Sequence, residues 1–158
     1  MVSAAQTVFR ALERELEGSS ALGVESMATP VQAISFPSIY EARGGPLAGT
    51  FEIDANGNSL YRKYVLFYRD SATKEVLRTE VPIPPGHSTE HTPLQLSFQD
   101  FGSGPKALDS YAQNGRRVGT GVESLTAQRD GRVLSVSLRL STEDGREQTY
   151  RSSTLLRN

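Results

Sequence analysis

Two histidines and a glutamate are the residues best suited to chemistry in this chain. His87, Glu90 and His91 stand in the spacing H-x-x-E-H, which in some zinc proteases places two metal ligands and a general base on one helix face. Pro85 precedes the motif and Pro93 follows it, so the context predicts a loop rather than a helix. The motif is open to two interpretations, a zinc-dependent hydrolytic site or a solvated loop, and the prolines favour the loop.

A second candidate site, residues 54–58, begins like a calcium-binding loop. Gly57 comes two positions too early for an EF-hand, and Val65 stands where the closing bidentate glutamate belongs. The Asn-Gly pair inside the segment is typical of tight hairpin turns. A turn is therefore the favoured interpretation.

Aromatic and basic residues give two further candidate binding sites. Tyr61, Tyr64 and Tyr68 could form an aromatic platform, but amphipathic rings on a half-buried strand are ordinary packing residues. Arg116 and Arg117 could contact an anion, although paired arginines beside a turn are normally solvated. Packing and solvated surface are the interpretations we favour.

The elements that must position these residues begin with an amphipathic helix at residues 2–16. Its apolar residues recur at alternating steps of three and four, which draws one stripe along a helix. The stripe consists of Val2, Ala5, Phe9, Leu12 and Leu16, with Val8 beside it. Glycine and two serines at residues 18–20 end the pattern.

Strands and turns follow the helix. Strands are expected at 21–27 and at 31–36, where Pro37 ends the run, and a hairpin is expected from strands 60–68 and 75–81. Beyond a proline-rich excursion, two Asp-Gly turns divide 121–157 into a three-stranded meander. Its middle strand alternates cleanly, so one face is predicted to be buried and the other wet.

Composition excludes several function classes. The chain has 158 residues, 17 Lys and Arg against 18 Asp and Glu, and a net charge of -1, which argues against a strong electrostatic grip on nucleic acid. It has no cysteine, so disulfides and thiolate sites are excluded. No run reaches the roughly 18 to 20 apolar residues of a membrane span. A single domain spanning residues 1–158 is expected, with a helical part at 1–18 and a β-rich part at 19–158.

Four segments in this order resemble the type IV pilin-like family, in particular its minor pilins and J-type pseudopilins. The segments are the helix end at 12–16, the strand 61–68 followed by Arg78, the meander start at 121–125, and the terminus at 154–158. The resemblance implies an α+β fold in which an N-terminal amphipathic helix packs on an antiparallel sheet with a C-terminal β-meander. It also implies a structural subunit, not an enzyme, that needs no cofactor and serves type II secretion, a type IV pilus or DNA uptake.

Members of that family carry an apolar, bilayer-spanning segment at the front of the helix, and this sequence shows none. With no capping residue expected before Val2, we interpret the helix as truncated and expect the full-length protein to be anchored in the inner membrane through a missing upstream segment. Its partners would be other pilin or pseudopilin subunits, contacted by the underpacked helix residues Val2, Ala5 and Phe9. The alternative is a β-rich ligand-binding or zinc-dependent hydrolytic domain that uses His87, Glu90 and His91.

Overall fold

The computed structural model describes residues 3–16, 19, 21–28, 31–38, 61, 63–82 and 115–156. These residues form one α-helix, a single 3-10 turn and eight strands. The elements are α1 (Ala4–Leu16), the 3-10 turn (Ala21–Gly23), β1 (Glu25–Met27), β2 (Ala33–Ser38), β3 (Lys63–Asp70), β4 (Glu75–Pro82), β5 (Arg116–Gly119), β6 (Val122–Asp130), β7 (Val133–Ser141) and β8 (Glu147–Leu155).

The strands form two antiparallel sheets. The larger sheet has the order β1-β2-β3-β4-β5 and the smaller sheet the order β6-β7-β8. The predicted α+β fold, with a helix laid on an antiparallel sheet, is therefore wrong: the described chain is mostly β, with one helix of 13 residues. The predicted hairpin (β3 and β4) and the predicted meander are confirmed, but the meander forms a sheet of its own.

The helix begins with its own cap. The Ser3 hydroxyl accepts a hydrogen bond from the backbone N–H of Gln6 at 3.2 Å, and the Gln6 side-chain carbonyl accepts one from the Ser3 N–H at 3.2 Å. This reciprocal pair is a capping box, which satisfies donors that the first helical turn leaves free. The expectation of a helix without a capping residue is wrong.

One hydrophobic core is shared by the helix and both sheets. The helix contributes Ala5, Val8, Leu12 and Leu16; the larger sheet contributes Ile34, Phe36, Val65, Phe67 and Val76; the smaller sheet contributes Val122, Leu125, Leu134, Val136, Leu138 and Leu140. The predicted alternation of the middle meander strand is confirmed, because its leucines and valine at even positions face this core. The stacked rings of Phe36 and Phe67, with centroids 6.1 Å apart, lie within it.

Pro37 lies inside β2 rather than ending it. The backbone N–H of Arg69 donates to the Gln32 carbonyl at 2.9 Å. The backbone N–H and C=O groups of even-numbered residues of β2 therefore point towards β3, and those of odd-numbered residues point towards β1. On the side of β1, the last residue pair is Glu25 with Ser35, so Pro37 lies beyond the paired part of β1. Proline has no N–H to donate, and at this position the sheet requires none.

Both Asp-Gly turns of the meander are confirmed. Gly131 (φ 57°) and Gly145 (φ 79°) adopt the left-handed conformation that such hairpin loops require. The Gly145 N–H donates to the Thr142 carbonyl at 2.9 Å and closes the second turn. Within the described ranges, no helix combines the length and the apolar character needed to cross a membrane.

Candidate functional site

The predicted partner-contact residues of the helix have different environments. Ala5 is fully buried, so the expectation that it is underpacked is wrong. The helix comes close to β5, because a Cβ placed on Gly119 would lie only 2.6 Å from Cγ2 of Val8 and 3.5 Å from the Ala4 carbonyl. Phe9 packs against the core with only part of its surface, and its role as a contact stays a prediction. Val2 lies outside the described residues.

A buried ion network joins the helix to the larger sheet. The Arg78 side chain is 5% exposed, and its Nη2 lies 2.6 Å from Glu15 of the helix and 2.8 Å from Glu80 of its own strand. Lys63 Nζ also reaches Glu80, at 2.7 Å. Two carboxylates and two cations thus balance one another where solvent screening is weak.

The network changes the ionisation of Glu80. Burial alone would raise the pKa of this carboxyl, but hydrogen bonds and charges from Lys63 and Arg78 hold its pKa below the usual value. The carboxylate is therefore the stable form in the folded protein. The arrangement serves to position α1 against the larger sheet.

A second polar cluster joins the two sheets at the β3–β4 turn. Arg69 Nε donates to the Val122 carbonyl at 2.7 Å, and the Val122 N–H donates to the Lys74 carbonyl at 2.9 Å. Glu123 accepts from Lys74 Nζ at 2.7 Å and from the Ser141 hydroxyl at 2.9 Å, which holds its pKa below the usual value. These contacts are structural links between the sheets.

The tyrosine candidates are packing residues, as favoured from the sequence. Tyr61, Tyr64 and Tyr68 are all buried. Burial raises the pKa of the Tyr64 hydroxyl, and the nearby negative charge of Glu25 raises it further. Burial also raises the pKa of Tyr68, partly offset by a hydrogen bond with the Gly115 backbone.

The arginine pair does not form one anion site. Arg116 lies opposite Arg78 and Arg117 lies opposite Leu77, so the two neighbours project to opposite faces of the sheet. Arg117 Nη1 lies 3.2 Å from Glu75 of the adjacent strand, as a surface ion pair. This agrees with the solvated-surface interpretation.

Two candidate sites lie outside the described residues. They are the H-x-x-E-H segment with His87, Glu90 and His91, and the calcium-loop-like segment 54–58. Within the described ranges, no group of three or more His, Cys, Asp and Glu side chains is arranged to hold a metal ion. The zinc interpretation therefore stays a prediction.

The outer face of the smaller sheet is a shallow polar surface. A depression of about 440 Å³ lies across its three strands. Its lining includes Thr126, Gln128, Ser135, Ser137, Arg151 and Ser153. Ser135 and Ser153 share a hydrogen bond at 3.0 Å across β7 and β8. The face offers hydroxyl groups and one guanidinium to a polar partner.

Strand β8 borders this face and, among the described residues, has one free edge. The Leu156 N–H donates to the Arg132 carbonyl at 2.7 Å, so the even-numbered residues of β8 exchange hydrogen bonds with β7. The N–H and C=O groups of the odd-numbered residues point away from β7. These residues are Glu147, Thr149, Arg151, Ser153 and Leu155.

The other outer strands of the two sheets are short or covered. β1 has three residues, and β5 has four and packs against α1. Along β6, the Gln32 side chain accepts from the Leu125 N–H at 2.8 Å and the Ser26 hydroxyl donates to the Ala127 carbonyl at 3.3 Å. Among the described strands, β8 is thus the long strand whose outer edge no neighbouring element covers.

Sequence reasoning missed this edge. The alternation of β8 and its Asp-Gly turn predict a strand, but a strand's own residues do not tell whether a neighbour lies on each side. The sequence offers one signal, the apolar residue Leu155 at the end of the meander. The structure shows that this residue is 68% exposed.

Comparisons with family models, with curated proteins and with solved structures gave no match.

Proposed function

We propose that this protein is a structural subunit of a cell-envelope filament and acts by assembly with other subunits, as minor pilins and J-type pseudopilins do. The machine would be of the type II secretion, type IV pilus or DNA-uptake class. The envelope location and the pilin-like class come from the resemblance of residues 12–16, 61–68, 121–125 and 154–158 to that family.

The observation that carries the assembly function is the free edge of β8. Native proteins normally cover, shorten or twist an exposed strand edge, because its unpaired N–H and C=O groups can pair with another chain. Here β1 and β5 are short, and hydrogen bonds with neighbouring side chains cover the edge of β6. Within the described part of the chain, the edge of the nine-residue β8 is neither short nor covered. An edge kept open in this way suits a protein whose role is to bind a neighbour.

The contact surface is then the smaller sheet and not the helix. The apolar stripe of the helix already packs in the core. Glu15 forms an ion pair with Arg78. Glu13 accepts a 2.8 Å hydrogen bond from the Ser152 hydroxyl. The helix then serves to hold the two sheets in place. Phe9, a partly buried apolar residue of the helix, can add a contact to a neighbouring subunit.

The test blocks the edge in the full-length protein in its native cell. Thr149→Pro removes an N–H that points away from β7, so the ladder within the sheet is kept. We expect the Thr149→Pro protein to fold but to lose co-purification with pilin-like envelope subunits and to lose the function of the machine. Thr149→Ala keeps the N–H and is the matched control.

Retention of the envelope partners by a folded Thr149→Pro variant would overturn the proposal, and so would recovery of the wild-type protein away from the cell envelope. Circular dichroism of the purified variants establishes folding in each case.

A further inference from the structure

We propose that the partner of the β8 edge is β8 of a second copy of this chain, in one antiparallel register centred on Thr149. The inference rests on the proposed assembly function, because it names the partner of the same surface.

The hydrogen-bonding pattern limits the possible registers. Within the described ranges, the odd-numbered residues of β8 are the ones whose N–H and C=O groups no neighbouring strand binds, so an added antiparallel strand must place its own outward residues opposite them. Two identical edges meet around a two-fold axis, which gives an isologous contact with each pair made twice. Among the registers that this pattern allows, those centred on residue 149, 150 or 151 are the ones that place both Glu147 and Arg151 opposite residues of β8.

Charge selects among these registers. Centring on Arg151 would set two arginines opposite each other, and like charges directly opposed across strands are destabilising. Centring on Tyr150 would place Arg151 opposite Thr149 and Glu147 opposite Ser153, which leaves both charges without a partner in the second copy. Centring on Thr149 places Glu147 opposite Arg151 twice, so that both charges are paired with their opposites.

The neighbouring side chains suit the same register. Thr149 faces its own copy, and threonine pairs are favourable across strands. On the other face, Tyr150 of one copy meets Gln148 of the other, and these two side chains already form a 2.6 Å hydrogen bond within one chain. Glu147 lies 3.6 Å from Arg139 and is 54% exposed, so it is available for a second cation.

The product would be a continuous six-stranded antiparallel sheet. Its outer face would join the two hydroxyl-rich depressions. The outward N–H and C=O groups of Glu147, Thr149 and Arg151 would be paired in each copy, while Ser153 and Leu155 would lie opposite the turn that precedes β8 in the other copy. Because the two-fold contact closes on itself, it gives a dimer and not an open fibre. The dimer would then be the unit that assembles with the other envelope subunits.

The first experiment measures the dimer dissociation constant of the full chain by sedimentation equilibrium. We expect wild-type protein to dimerise and Glu147→Arg and Arg151→Glu each to weaken dimerisation by about 10-fold or more, because each places like charges together. Mixing the two single variants should restore association as a heterodimer, since one chain then carries only positive charges at positions 147 and 151 and the other only negative ones. Arg129→Glu, at an exposed position of β6, is the matched control and should leave the constant unchanged.

A second measurement tests the register without relying on charge. The chain has no cysteine, so an introduced thiol can pair only with its own copy. Directly opposed Cα atoms lie about 5.5 Å apart in a hydrogen-bonded pair, within disulfide range, so Thr149→Cys should cross-link readily on oxidation. Arg151→Cys should not, because its copies would stand four residues apart along the strands, about 13 Å.

A monomeric wild-type protein, a dimer insensitive to both charge reversals, or cross-linking at residue 151 in preference to 149 would overturn the inference. These results differ from failure of the proposed function. If the protein is a monomer and its β8 edge binds other envelope subunits, the second copy is ruled out as the partner and the proposed function stands. If the protein forms the Thr149-centred dimer but disrupting it has no effect in cells, the dimer stands and the proposed function is ruled out.

Discussion

Arg78 shows how a residue of ordinary surface type becomes part of the core of this protein. On β4, Arg78 lies on the same face as Val76, which belongs to the hydrophobic core. The polarity of its side chain alone would predict that Arg78 is exposed to solvent. Glu15 and Glu80 compensate its charge at 2.6 and 2.8 Å. A buried ion pair is weak evidence of net stabilisation, but breaking one leaves uncompensated charge behind.

We therefore expect Arg78→Ala to lower the free energy of unfolding by about 3 to 5 kcal/mol. Arg129→Ala removes an exposed arginine and is the control, with an expected change within about 0.5 kcal/mol. Urea denaturation followed by circular dichroism measures both. Equal and small losses would show that the Arg78 network contributes nothing.

Glu80 makes the same network dependent on pH. The pKa of its carboxyl is lower in the folded protein than the ordinary value of 4.5, so the unfolded chain binds the proton more readily. The stabilisation from ionised Glu80 is complete above pH 4.5 and is lost as the pH falls through the lower folded pKa.

Glu80→Gln should accordingly be less stable than wild type at neutral pH, with a gap that narrows as the pH falls below 4.5. Denaturant titrations from about pH 7 to about pH 3 measure the gap. Glu143→Gln, in the exposed second turn of the meander, controls for the loss of one carboxylate. A gap of constant size across this range would contradict the assignment.

At the scale of elements, the contact of α1 with β5 depends on the absence of a side chain at Gly119. A Cβ there would lie 2.6 Å from Val8 Cγ2, closer than side-chain atoms normally approach. Val8 is fully buried at this point of the helix stripe. The two residues therefore set the spacing between helix and sheet together.

Gly119→Ala should destabilise the protein by about 1 to 3 kcal/mol through overpacking. Val8→Ala should destabilise it through lost burial, but the double variant should cost less than the sum, because the smaller side chain at residue 8 makes room for the new methyl group. Thermal or urea unfolding of the four proteins in this cycle gives the coupling energy. Additive effects would show that the helix simply shifts.

At the scale of the whole molecule, the two sheets share one core and are linked through Arg69 and Glu123. Strands from both sheets and the helix stripe contribute to the same apolar cluster, so neither sheet buries its inner face alone. The described part of the chain should therefore unfold as one cooperative unit.

Leu138→Ala tests this cooperativity, because the residue is fully buried in the smaller sheet. We expect a loss of about 2 to 5 kcal/mol and an equal fall in amide hydrogen-exchange protection in β3 and β7, although β3 belongs to the larger sheet. Ser137→Ala, its neighbour on the outer face, should leave both strands unchanged. Loss of protection confined to β6, β7 and β8 would mean that the sheets unfold separately.

Sequence alone determined the local features of this protein. The helix stripe through Leu12 and Leu16, the β3–β4 hairpin and the Asp-Gly turns were predictable because they depend on neighbouring residues, on the period of 3.6 or 2, and on turn geometry. The capping box of Ser3 and Gln6 was equally local, and it was overlooked.

Only the tertiary structure decided how these elements meet. The separation into two sheets, the burial of Ala5 and Arg78, and the free edge of β8 depend on contacts between residues far apart in the chain. The register Glu25 with Ser35, for example, leaves Pro37 without a β1 partner and so allows a proline inside a strand. Such pairings are fixed by which apolar faces cover one another, and no single stretch of sequence carries that information.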